Sequence, residues 1–135
     1  IQITGNLLEC IRKYDNGKKI MFFPHMERDC LYEEAATCIY WQKDDIEKIV
    51  DQMVRYREKG YPVHNGLMCG GFIVREHNNE TIINAMNTWH EEYTNGSIRD
   101  QISLPYSLWK NKCEYSLINE NYYDNLYFKA EKHVK

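Results

Sequence analysis

This chain of 135 residues lacks any run of about 18 apolar residues, so its sequence offers no helix to cross a membrane. Its start, Ile1-Gln2-Ile3-Thr4-Gly5, has neither the basic flank nor the apolar stretch of a signal peptide. Excess positive charge is missing as well. The 17 basic and 20 acidic residues leave a formal net charge of −3, too weak a field to hold a polyanion, so no nucleic-acid partner is expected. The five cysteines, Cys10, Cys30, Cys38, Cys69 and Cys113, are odd in number and contain no CxxC pair. That pattern predicts free thiols in a reducing, cytoplasmic setting, at most peripheral to a membrane, and speaks against zinc. Asp-x-Asp, P-loop, GxGxxG and HExxH signatures are all absent, so any metal or nucleotide chemistry is incomplete within these residues.

What is present suits one domain. A hydrophobic content of 43% suffices for a single core at this length. Tyrosine is abundant, eleven residues against four phenylalanines. Its apolar ring and hydrogen-bonding tip suit the face of a sugar, and equally the rim of an ordinary core.

Periodicity and punctuation divide the chain into helices and short strands. Asn6 to Tyr14 reads as a short amphipathic helix closed by Asp15-Asn16-Gly17. Lys19 to Phe23 is an apolar run of strand length, stopped by Pro24. Asp29 is placed to cap a helix through about Trp41, with Glu33 and Glu34 in its first turn. Asp44 opens the next helix, with an apolar stripe of Ile46, Ile49, Val50, Met53 and Tyr56 and a solvated face of Lys48, Asp51, Arg55 and Glu58. Gly60 and Pro62 end it. Gly70-Gly71 lead into a strand from Phe72 to Arg75, and Asn79 caps a helix carrying Ile82, Ile83, Met86, Trp89 and Tyr93. Ser97 begins a last helix, expected to bend between Ser103 and Tyr106 because of Pro105. Glu114 to Ile118 is a further strand candidate, and Tyr122 to Lys135 shows no clear period. The fold class is α/β, with three to four short strands and about four helices in three layers.

Three polar groups stand out. His25, Arg28 and Asp29 directly follow a strand, at the edge of an α/β sheet where ligands bind. Arg75 and His77 share a strand face if the strand continues through them. A guanidinium fork there suits a phosphate or diphosphate, although a strand end surfacing into solvent looks the same in sequence. Arg99-Asp100-Gln101 sits at a helix start. Asp100 is either an acid favoured by the helix dipole or a carboxylate that orients or deprotonates a sugar hydroxyl, with Gln101 hydrogen-bonding beside it. His64, His90 and His133 read as loop, helix-surface and tail residues.

The string His25-x-x-Arg28-x-Cys30-x-Tyr32-Glu33-Glu34-Ala35 is followed by Arg57-x-x-Gly60-Tyr61-Pro62, Gly66-Leu67, Arg75-x-His77, Trp89 and Arg99-Asp100-Gln101-x-Ser103-x-x-Tyr106-x-x-Trp109-Lys110. Together they resemble a glycosyltransferase-like family once catalogued as a domain of unknown function. Its members include proteins of bacterial capsule and cell-surface polysaccharide pathways and plant mucilage-related proteins. The resemblance implies a partial GT-A (Rossmann-like) domain, a nucleotide-sugar donor, a glycan acceptor and a divalent metal, manganese or magnesium. It gives Asp100 and Gln101 the transfer site, and turns Arg99, Arg75, His77, His25 and Arg28 toward the substrates. It makes His133 a candidate for a late metal-binding histidine. By the same resemblance an Asp-x-Asp-type segment is expected just before Ile1. Residues 1–135 are then the C-terminal part of a glycosyltransferase domain and are expected to lack donor binding alone. Rival readings are a non-catalytic carbohydrate-binding or regulatory module of the same fold, and a helix-rich interaction domain in which Arg99-Asp100-Gln101 is only a cap.

Overall fold

A computed structural model describes residues 1–132. The elements in chain order are β1 (Gln2–Ile3), α1 (Leu7–Tyr14), β2 (Ile20–Pro24), α2 (Leu31–Tyr40), α3 (Ile46–Glu58), β3 (Met68–Arg75), α4 (Glu80–Asn95), α5 (Asp100–Lys110), β4 (Ser116–Leu117) and β5 (Phe128–Lys129). The α/β class read from the sequence holds, with five strands and five helices among the described residues.

β2 centres the main sheet because it is apolar on both faces. Ile20 and Phe22 enter a core with Ile82 and Ala85 of α4 and Leu104 and Leu108 of α5. Met21 and Phe23 point the other way, to Cys10, Ile118, Tyr127 and Phe128. All four side chains are buried, and each contributes about 2 kcal/mol by leaving water. The strand order is β3-β2-β4, with β2 antiparallel to β3 and parallel to β4, while β1 and β5 form a separate antiparallel ribbon. A third apolar cluster, including Leu31, Ala35, Ile49, Tyr56, Ile102 and Tyr106, fastens α2 and α3 to α5.

The helix starts at Asn6 and Asn79 are as expected: each side chain accepts a backbone N–H of the first turn. Three local readings are corrected. Asp45, not Asp44, caps α3, because Asp44 is drawn away to Ser97 Oγ and Ile98 N at 2.7 and 2.8 Å. Cys30 holds the cap position of α2 without a side-chain bond, and Asp29 instead pairs with His64. On α3, Ile46 and Val50 are exposed, while Gln52 and Arg55 reach Glu92 of α4. The true inner stripe of that helix therefore includes polar residues, neutralised by a partner that lies 37 residues beyond Arg55.

One irregularity positions the functional region. Phe22 pairs with Ile73 but Phe23 pairs with Cys69, so Gly70, Gly71 and Phe72 bulge out of β3. Close approach favours glycine at both positions. A Cβ on Gly70 would strike the Asp100 carboxylate, and one on Gly71 would strike the Tyr122 hydroxyl.

Candidate functional site

The site is built around Glu34, which the helical phase of α2 carries inward. Leu31, Ala35 and Cys38 are the buried stripe, and Glu34 lies on the same side, three residues after Leu31. Only 5% of its side chain is exposed, so its charge must be paired. Glu34 Oε2 accepts Arg28 Nε at 2.7 Å and stands 3.5 Å from His25 Nε2. Its other oxygen accepts the Cys38 thiol at 3.7 Å.

His25 is locked in one form. Its Nδ1 accepts the backbone N–H groups of Glu27 and Arg28, both at 3.1 Å, so the ring proton belongs on Nε2, facing Glu34. Burial pushes its pKa below the usual imidazole value and outweighs the opposing pull of Glu34, so the ring is neutral at neutral pH.

Arg99 and Asp100 arrive from the start of α5. Arg99 lies beside the Cys38 thiol, and its buried Nε makes no hydrogen bond within the protein. No side chain caps α5. Asp100 Oδ1 accepts the N–H of Gln101 at 2.9 Å, and its Oδ2 lies against Gly70. Cys69 ties the two carboxylates together: burial first, then the charges of Asp100 and Glu34, raise its thiol pKa to about 11. A thiol so suppressed is not a nucleophile. Asp100 also raises the pKa of Tyr122, after burial and the influence of Cys69 and Tyr123.

His25, Arg28, Arg99 and Asp100 are thus brought to one place, at the carboxyl end of β2 where α/β sheets bind ligands. Gln101 is half-buried next to them. Arg75 and His77 are elsewhere. Arg75 pairs with Ile20 at the opposite end of β2, about 15 Å along the strand from Gly70, and both side chains are exposed. His133 lies outside the described residues.

Two surface cavities accompany the fold. One, of about 1090 Å³, is lined by Gly71, Tyr122, Tyr123 and Lys129 and so opens on the glycine bulge. The other, of about 1080 Å³, is lined by Tyr61, Trp109 and Tyr115 and does not include Asp100. The residues around Asp100 do not fit manganese or magnesium. Such ions need several oxygen ligands, whereas Glu34 is already committed to Arg28. Among the described residues, the one His/Cys/Asp/Glu grouping able to share an ion is elsewhere and contains a thiol.

Sequence reasoning missed Glu34 and Tyr122. The first was legible, since a carboxylate at helical spacing with Leu31 and Cys38 must face the core. The second was not, because Tyr122 lies in irregular chain and meets Gly71 only through the tertiary fold.

None of the curated proteins or solved structures compared with the chain matches it. The family profile for a TOD1/MUCI70, glycosyltransferase-like domain matches residues 7–133. This chain therefore belongs to the TOD1/MUCI70 glycosyltransferase-like domain family.

Proposed function

We propose that the chain carries the sugar-transfer centre of a cytoplasmic glycosyltransferase that draws on a nucleotide-sugar donor to extend a cell-surface or capsular polysaccharide. The observation that carries this reading is the meeting of Asp100, Arg99, His25 and Arg28 around Glu34, beside a glycine bulge that opens on a tyrosine-lined cavity. In transfer, the bond between the anomeric carbon and the phosphate oxygen breaks, and the acceptor hydroxyl oxygen takes its place. Asp100 orients that hydroxyl and receives its proton, and Gln101 hydrogen-bonds the sugar. Arg28 and Arg99 meet the charge that develops on the departing diphosphate, and Arg99 brings an unused Nε donor. Neutral His25 keeps its Nε2 proton toward Glu34 and adds no competing charge. Arg75 and His77, at the opposite edge, can meet only a part of the substrate remote from this centre.

The test is Asp100→Asn in the intact protein, with transfer read as nucleoside diphosphate release over a panel of nucleotide sugars with glycan acceptors. Release should be lost while circular dichroism stays unchanged. Full activity in the variant refutes the role of Asp100. Glycan binding without release by the unaltered protein would replace the reading with a non-catalytic carbohydrate-binding module.

A further inference from the structure

We propose that Cys30, Glu33 and His64 form a binding site for a zinc-class divalent cation, with a fourth position left to water. Nothing in the proposed transfer chemistry uses these residues. They come from two segments, the start of α2 and the loop before β3, and one ligand atom from each lies within 4.8 Å of the others.

The spacing suits a tetrahedral ion. Nitrogen and oxygen ligands at about 2.0–2.1 Å from zinc stand about 3.3 Å apart, and a sulfur at about 2.3 Å stands about 3.6 Å from either. His64 Nε2 is already 3.6 Å from Glu33 Oε1. Closing the thiol onto the same ion asks for a shift of about 1.2 Å at most, set against the 4.8 Å bound on the cluster.

The imidazole is aimed by a partner outside the ligand set. Asp29 Oδ1 lies 2.7 Å from His64 Nδ1, which places the ring proton on Nδ1 and turns the lone pair of Nε2 toward Glu33 and Cys30. A carboxylate behind a ligating histidine is the usual support of such sites. The Asp29 backbone carbonyl accepts the N–H of Gly66 at 2.9 Å, which draws the loop onto the start of α2. His64 itself holds a φ of 49°, uncommon for a residue with a side chain.

Charge and ligand type narrow the ion. A metal-bound thiolate and a carboxylate together cancel a divalent charge. A soft sulfur ligand selects zinc-class ions over magnesium or manganese. The absence of CxxC spacing argued against zinc, but here the ligands are gathered by the fold rather than by a local motif. Glu33 and Glu34 point about 100° apart on α2, so the ion site and the transfer centre use different faces of one helix.

Cobalt(II), added to the reduced 135-residue chain, is the probe. One equivalent should give a thiolate-to-cobalt charge-transfer band that zinc removes by displacement. Cys30→Ser should abolish the band. Because Cys30 is buried and its replacement could disturb folding, the exposed Glu33→Gln and His64→Asn provide the second reading. Asn tolerates the left-handed backbone at His64. Each should weaken cobalt binding tenfold or more, and Asp29→Asn about tenfold. No charge-transfer band, a band unchanged in Cys30→Ser, or unaltered affinity in both Glu33→Gln and His64→Asn overturns the proposal.

Discussion

Replacing Glu34 with glutamine keeps the shape of the side chain and removes its charge, which isolates what that charge does. Breaking a buried ion pair from one side costs about 3–5 kcal/mol, because the remaining charge stays buried and unpaired. Two features reduce this here. The Arg28 side chain is 23% exposed and also contacts Glu27 at 3.2 Å, and the new amide oxygen can still accept Arg28 Nε. We expect a loss of about 2 kcal/mol, which in a domain of this size lowers Tm by about 6–8 °C. Urea unfolding followed by tyrosine and tryptophan fluorescence reads it, with chelator present and Glu33→Gln as the exposed control, expected to cost under about 0.5 kcal/mol. The loss should also grow in mild acid. Burial makes His25 harder to protonate in the folded chain, and Glu34 opposes that shift. Below about pH 6.5 the unfolded chain therefore binds more protons, so stability is full above that pH and declines as the pH falls toward the folded value. Without Glu34 the folded value falls further, and the gap to the unaltered protein widens between about pH 7 and about pH 5. A Glu34→Gln variant within about 0.5 kcal/mol of the parent at both pH values would refute Glu34 as the organising charge.

Gly70→Ala should leave the backbone acceptable but push the Asp100 carboxylate aside. We expect about 1 kcal/mol of destabilisation but about a hundredfold loss of transfer, since a displacement near 1 Å suffices for that. Full transfer would dissociate Asp100 from the chemistry. Burial opposes ionisation of Glu92, but the two hydrogen bonds from Arg55 at 2.7 and 2.6 Å, aided by Tyr56 and Gln52, hold its pKa below the ordinary value. The resulting stability is present above about pH 4.5 and lost as acid titrates Glu92 through its folded value. With Arg55 43% exposed, we expect about 1 kcal/mol from this source. Glu92→Gln should flatten the urea midpoint against pH in that range, and an unchanged acid slope would contradict the assignment.

The amino-acid sequence by itself determined the local elements and the family. Caps at Asn6 and Asn79, the stop at Gly60 and the apolar run of β2 are short-range signals, because a helix end or a buried strand is specified within a few residues. The motif from His25 to Ala35 and the run from Arg99 to Lys110 were enough to suggest a glycosyltransferase-like family. Of the face expected to be solvated, Lys48, Asp51 and Glu58 are exposed, but Arg55 turns to Glu92, which lies on another helix. Whether Arg75 joins Asp100 was beyond the reach of spacing. Arg75 and Gly70, against which Asp100 lies, are separated by strand length along β3, and only the pairing register with β2 sends Arg75 to the far end. The tertiary structure alone decided that two glycines bulge beneath Asp100 and Tyr122, that Arg28 and His25 close on Glu34, and that Cys30 meets His64. These are contacts between segments far apart in the chain, whose geometry is set by packing around β2 and not by any residue's own preference.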